Sequence, residues 1–190
     1  MKKVLIGSFD MEVGGVERSL ISMLDNFDYD NHEVDLMLYS HTGDFMPLLN
    51  NKVNLLKEDR KYSTFRKSIV ETFKQGNILL GSSRILARIF ANLKGKINKT
   101  NEYGVYQMQL MWKYALPFLP KIEKEYDVAI SYLWPHYFIA EKVKAIKKIA
   151  WIHTDYSTIE TDVNLDLKMW DKFDHIIAVS EECKNAFLTK

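Results

Sequence analysis

The sequence predicts a doubly wound α/β domain, and three observations carry that prediction. A short apolar run at residues 4–6 passes through Gly7 and a loop to the glycine pair Gly14-Gly15, and an amphipathic helix starts at about Val16. Strand-length apolar runs recur at 33–40, 53–56, 127–133, 148–153 and 173–180, with helical patterns between them. Runs as continuous as Val34, Leu36, Met37 and Leu38 belong to strands buried on both faces of a parallel sheet. Strands joined by helical crossovers imply parallel pairing. The expected fold is therefore a Rossmann-like α/β domain over 1–190. Its sheet is mostly parallel, of about six or seven strands, with a helical, basic insertion over 57–125 between strands three and four.

Each element has a local reason. The first strand, at 3–9, is a nearly unbroken apolar run. In the helix after it, Val16, Leu20, Met23, Leu24 and Phe27 fall at helical spacing, Glu17 suits the first turn, and the Asp and Asn residues of 26–31 end it. The second strand is 33–40. His41-Thr42-Gly43-Asp44 is a loop, and a short helix at 45–50 leads to the third strand at 53–56. From Lys57 the pattern changes. A helix is expected over 64–74, with Phe65, Ile69 and Phe73 at four-residue spacing, broken by Gln75-Gly76-Asn77. A second amphipathic stretch covers 78–93, setting Ile85, Leu86, Ile89, Phe90 and Leu93 against Arg84, Arg88 and Lys94. Residues 95–104 read as a polar surface loop, and 106–125 as an aromatic-rich helical stretch interrupted by Pro117 and Pro120. The alternation then resumes with a strand at 127–133, a helix at 135–144, a strand at 148–153, a helix over about 161–172 and a strand at 173–180. A final helix starts at Glu181, with Ser180 as its N-cap.

Composition narrows the class. A hydrophobic content of 47% and an aromatic content of 13% are those of a globular protein. No apolar run approaches the roughly 18 residues a membrane span needs. The segment after Lys2-Lys3 is too short, and too soon interrupted by Asp10 and Glu12, for a signal peptide. Cys183 is the only cysteine, which excludes an internal disulfide. A cytoplasmic protein is expected. Between Lys57 and Thr100 eleven basic residues face three acidic ones, a local excess of eight on a chain of net charge +1, so the remainder carries −7. Such a block calls for an anionic partner: lipid headgroups, phosphates or nucleic acid. Nucleic acid is the weakest of these, because the aromatic residues there sit at core spacing rather than on a stacking platform.

Four stretches are candidates for chemistry. Gly14-Gly15 either allows close backbone approach of a ligand to a helix N-terminus, or is a turn in which glycine relieves strain. Its spacing fits neither G-x-G-x-x-G nor G-x-x-x-x-G-K-[ST]. Arg18 and Ser19 point to a phosphate or hydroxyl, or else are solvated. His153 ends the fifth strand on the rim where such folds bind ligands, as a hydrogen-bond donor to a substrate hydroxyl or as an acid or base. Asp155, two residues on, caps the next helix or orients a ligand. Tyr132 to His136 follow the fourth strand on the same rim, where Trp134 and His136 line an acceptor pocket, unless Trp134 is plain core. The loop at His41 is a weak fourth signal. There is no G-x-S-x-G, no H-E-x-x-H and no Cys/His metal spacing, so neither a metal site nor a cofactor is predicted. His175 reads as structural, and Cys183 as a bystander.

Three stretches taken together, GGVERSLISML, KKIAWIHTDY and FDHIIAVSEECKNAF, resemble the N-terminal domain of GT-B fold glycosyltransferases, the family-four retaining enzymes of bacterial polysaccharide and glycolipid synthesis. The resemblance spans nearly the whole chain in the family's order. It implies an acceptor-binding half that is inactive alone, for a glycan or lipid-linked acceptor. In the family a second domain, outside these residues, binds the nucleotide-sugar and carries two glutamates seven residues apart. The resemblance places Gly14-Gly15 at the interdomain cleft and matches His153 to the rim histidine that contacts the transferred sugar. In relatives with lipid-linked acceptors a basic amphipathic surface docks on the anionic leaflet, which implies peripheral membrane contact through Arg84, Arg88 and Lys94. The alternative is a helix whose apolar face packs on the sheet. The competing function is a non-catalytic Rossmann-like binding or regulatory module serving a separate catalytic subunit.

Overall fold

The computed structural model describes residues 1–98 and 104–190. Six strands form one parallel sheet: β1 (Lys2–Ser8), β2 (His32–Leu38), β3 (Asn54–Leu55), β4 (Tyr126–Ser131), β5 (Ala145–Ile152) and β6 (His175–Ala178). They lie in the order β3-β2-β1-β4-β5-β6, every neighbouring pair parallel. The helices are α1 (Gly15–Asp25), α2 (Ile69–Lys74), α3 (Ile78–Asn98), α4 (Gly104–Ala115), α5 (Tyr137–Lys142), α6 (Val163–Trp170) and α7 (Glu181–Leu188). This is the Rossmann-like α/β fold the sequence predicts. Strand order reverses between β1 and β4, and sheets so wound open their ligand crevice at the carboxyl ends of the strands there.

Alternation along β1 builds a core on each face. Val4 and Ile6 join Leu20 and Leu24 of α1, with Val34, Leu36 and Leu38 of β2. Leu5 points the other way, into a larger cluster with Met37, Tyr62, Trp112, Phe138 and Trp170. Gly7 lets α5 lie close: a Cβ there would meet the Phe138 ring at 3.2 Å and the Ile139 side chain at 3.3 Å.

The insertion lies between β3 and β4, but it is no appendage. Tyr62 and Trp112 are fully buried in the main core, and Phe65 stacks on Trp112 with ring centroids 4.1 Å apart. Its detail departs from expectation in three places. The helix predicted over 64–74 is a 3₁₀ turn, Tyr62–Arg66, followed by α2. Lys67 is extended between them, and Ser68 starts α2 with a capping box: Glu71 N donates to Ser68 Oγ while Ser68 N donates to Glu71 Oε2. The loop predicted over 95–104 is helical as far as Asn98, and its last residue, Gly104, starts α4; residues 99–103 lie outside the described ones. The stretch 106–125 ends as an α-helix at Ala115, before Pro117, and gives way to a 3₁₀ turn at Leu116–Phe118. Later in the chain β5 starts at Ala145 rather than 148, because Ala145 pairs with Tyr126 and Lys147 with Val128. Strand pairing thus extends β5 over 145–147, which the apolar run leaves unassigned.

At the amino-terminal edge of the sheet, Asp35 is fully buried and accepts from Asn54 Nδ2 (2.7 Å), Tyr126 Oη (2.7 Å) and Lys124 Nζ (2.8 Å). Burial opposes its charge, but the hydrogen bonds from Lys124, Asn54 and Tyr126 outweigh it and hold the carboxyl below its ordinary value. A carboxyl with a depressed folded pKa stabilises fully above the unfolded value, about 3.9, and loses that contribution as pH falls through the folded one. Asp35→Asn is therefore expected to cost about 1–3 kcal/mol at neutral pH and to flatten the loss of stability below pH 4. Urea melts of both proteins at several acid pH values measure both effects.

Candidate functional site

The rim at the switch point is held by backbone bonds between loops. After β1, Met11 N donates to Thr42 O and Phe45 N to Met11 O, both at 2.9 Å. Gly43 has φ +112°, and a Cβ there would fall 2.1 Å from the Met11 carbonyl. Only glycine suits such a backbone at so close an approach. The loop at His41, a weak signal in sequence, is thus the clamp that holds the loop following β1.

Gly14 is the N-cap of α1, and its narrow contact is with the chain itself. A Cβ at Gly14 would lie 2.2 Å from Oε2 of Glu17, whose buried side chain folds back over the glycine. Gly15 is exposed, with open space where a Cβ would stand. The positive end of α1 accordingly faces a carboxylate already, and an anion placed there must displace Glu17. Arg18 is exposed, 6.0 Å from the centre of the Phe45 ring. Beside the loop Asp10, 1% exposed, pairs with Arg66, and the Arg66 guanidinium lies 5.2 Å from the Phe9 ring centre. The insertion is tied to the rim by that ion pair.

On the α1 side, Ser19 hydrogen-bonds the hydroxyl of Tyr132, just past β4. The Tyr132 ring lies 4.9 Å from that of His153 and 5.4 Å from that of Trp151, and Trp151 stacks with His153 at 5.9 Å. His153 is half-buried, its Nε2 has no hydrogen-bond partner, and burial lowers its pKa. A neutral imidazole beside two aromatic rings can hydrogen-bond a hydroxyl or accept its proton. Thus α1, β4 and β5 bring His153, Tyr132 and Ser19 together beside the glycine loop.

Three expected site residues sit elsewhere. His136 is fully buried, bonded through Nδ1 to Ser131 Oγ (2.7 Å) and covered by Trp170 and Phe173. Burial, with a smaller effect from His153, pushes its pKa down to about 3, so it is a neutral core residue and not a pocket wall. Trp134 packs with the large cluster, whereas Tyr132 and Trp151 belong to the α1-side cluster; the Trp134–Pro135 peptide is cis. Asp155 takes its capping role, accepting from Ser157 N (2.9 Å) and Ser157 Oγ (2.6 Å).

The basic face is also redrawn. Arg84 turns inward, its Nη1 donating to Thr64 O (2.8 Å), Lys67 O (2.7 Å) and Thr72 Oγ1 (3.1 Å), which fixes the turn before α2. Lys94 bonds Asp162 at 2.8 Å and lies 3.9 Å from the Tyr106 ring centre, joining α3 to α6. Of the three expected contacts only Arg88 is exposed. The alternative fails too: Ile85, Leu86, Ile89, Phe90 and Leu93 do not pack on the sheet but are 40–51% exposed, while Ala87 and Ala91 are buried against α4. Among the described residues no helix is long and apolar enough to cross a membrane.

Reading by motif gave Asp10 and Arg66 no role and took Glu17 only as suited to the first turn of α1. Glu17 had a usable signal, an acidic residue three positions after a helix-opening glycine. Asp10 and Arg66 had none. Compared with protein-family models, curated proteins and solved structures, the chain returns no match.

Proposed function

We propose that this domain is the acceptor-binding half of a retaining glycosyltransferase, working with a nucleotide-sugar-binding domain outside these 190 residues. The observation that supports this best is His153: half-buried just past β5, one strand from the switch point, its buried Nε2 without a hydrogen-bond partner, and flanked by Tyr132 and Trp151. Aromatic faces suit the apolar faces of sugar rings, and a neutral imidazole suits a sugar hydroxyl. A reading frame running past Lys190 into an α/β domain with paired glutamates supports the reading; a stop codon there favours the non-catalytic module instead. One observation leans toward that second reading, since Glu17 fills the helix end where donor phosphates would approach. In the full chain, His153→Ala is expected to lower kcat/KM about 100-fold with the fold intact, as measured by sugar transfer and by circular dichroism. Unchanged turnover removes His153 from the site.

The same reading places the protein in the cytoplasm, peripheral at the inner leaflet, taking a lipid-linked acceptor. Two observations on α3 support it. Five large apolar side chains, from Ile85 to Leu93, are exposed on it. Between Thr72 and Ile122, Glu102 is the only acidic residue against Lys74, Arg84, Arg88, Lys94, Lys96, Lys99, Lys113 and Lys121. Of these, Arg84 turns inward and Lys94 pairs with Asp162, so the exposed apolar row with the remaining basic residues, Arg88 among them, is what suits an anionic bilayer surface.

A further inference from the structure

His153 stands at the rim with no hydrogen bond to aim it. Its Nε2 is closed to solvent and unpartnered, and among the described residues none bonds the other ring nitrogen. An imidazole is ordinarily oriented by the bond that its second nitrogen makes. Here two aromatic rings take the place of that bond. Trp151 stacks against His153 at 5.9 Å, but it lies on β5 itself, two residues earlier. Of the two, only Tyr132 comes from another strand: it follows β4, and its ring centre lies 4.9 Å from that of His153.

Tyr132 is itself fixed at its far end. The residue is 1% exposed, and its hydroxyl hydrogen-bonds Ser19 of α1. Burial raises the pKa of the phenol and the Ser19 bond offsets this only in part, so the hydroxyl keeps its proton. Trp151 closes the group, 5.4 Å from the Tyr132 ring. In a close-packed interior a ring held at its hydroxyl cannot shift without breaking that bond.

We propose that Tyr132 is the positioning residue for His153 and that Ser19 sets it: α1 fixes the phenol, and the phenol fixes the plane of the imidazole. Its meaning for sugar transfer rests on the function proposed above; the positioning itself does not. A buried phenol needs some partner for its O–H wherever it lies. What distinguishes this bond is that it runs from α1 to the ring packed against His153.

The test is an NMR titration of the histidine rings in the 190-residue chain. Burial holds the His153 pKa below its ordinary value. Tyr132 and the buried His136 are uncharged while His153 titrates, and Glu17, Arg18 and Asp155 are unchanged in every variant, so the midpoint reports how far water reaches the imidazole. Ser19→Ala and Tyr132→Phe both keep the ring but release it from α1. The midpoint should then rise toward about 6.5, and the double variant should rise no further, because both changes remove the same bond. Ser19→Thr keeps a hydroxyl and should titrate as the wild type does. His175, which is exposed, should titrate alike throughout. An unchanged midpoint in both single variants, an additive shift in the double variant, or an equal shift at His175 overturns the proposal and leaves the sugar-transfer reading intact. That reading is decided separately, by the turnover of His153→Ala.

Discussion

Replacing Trp112 with alanine is expected to lower the unfolding free energy by about 3–5 kcal/mol, the largest loss from any single aromatic residue of the insertion. Trp112 is fully buried, and four aromatic rings surround it: Phe65 at 4.1 Å, Tyr39 at 5.5 Å, Tyr137 at 6.1 Å and Tyr62 at 6.4 Å. Tyr39 follows β2, Tyr137 opens α5, and Phe65 and Tyr62 come from the 3₁₀ turn. One indole thus joins the insertion to the sheet, and the cavity it leaves cannot close without moving several elements. A partial offset comes from its N–H, buried without an acceptor. Losing that group recovers part of a desolvation cost of about 1–3 kcal/mol, which places the expected value toward the lower end. The urea transition should remain single, because the two parts share one core. A loss below 1 kcal/mol, or a separate transition for the helices, would show the insertion to be independent of the sheet.

The second large effect concerns the proposed membrane face. Vesicles containing anionic lipid should bind the protein at low salt, and Ile89→Ala with Phe90→Ala should weaken that binding roughly 50-fold. Both side chains are 48% exposed, so each has about half its surface left to give, on the order of 1–1.5 kcal/mol per residue. Their buried halves support the fold as well, so the double variant should melt several degrees below the wild type, and circular dichroism at the assay temperature separates docking from folding. Arg88→Glu should also weaken binding, and the effect should fade as salt rises. Charge reversal at Arg84 is the wrong probe, since it removes three hydrogen bonds inside the insertion and unsettles the fold. Vesicle sedimentation with no bound protein at low salt ends the membrane reading.

Legibility followed the range of the interactions. Ser180 was readable as an N-cap because its partner, Cys183 N, is three residues away. The equally local box of Ser68 and Glu71 was hidden by Phe65, Ile69 and Phe73, whose four-residue spacing imitates one continuous helix. His153 was readable as a rim residue because the end of a buried strand is marked in the chain. His136 was misplaced by the same logic: the sequence puts it just beyond β4 but does not say to which side the chain turns. The α3 stretch is amphipathic as its spacing predicts, but of the two expected settings for its large apolar face the sheet is ruled out, since Ala87 and Ala91 rather than the large side chains pack against α4.

Strand and helix periodicity, the glycine turn after β1 and the position of the insertion were therefore determined by sequence alone, because each depends on residues within a few positions of one another. Tertiary structure alone decided the partners. Asp10 takes Arg66 from the insertion, Ser19 takes Tyr132 from 113 residues away, and Arg84 turns inward while Arg88 does not. A side chain's hydrogen-bonding capacity is written in its residue type. The group that meets it is set only when the sheet order brings distant segments to the same rim.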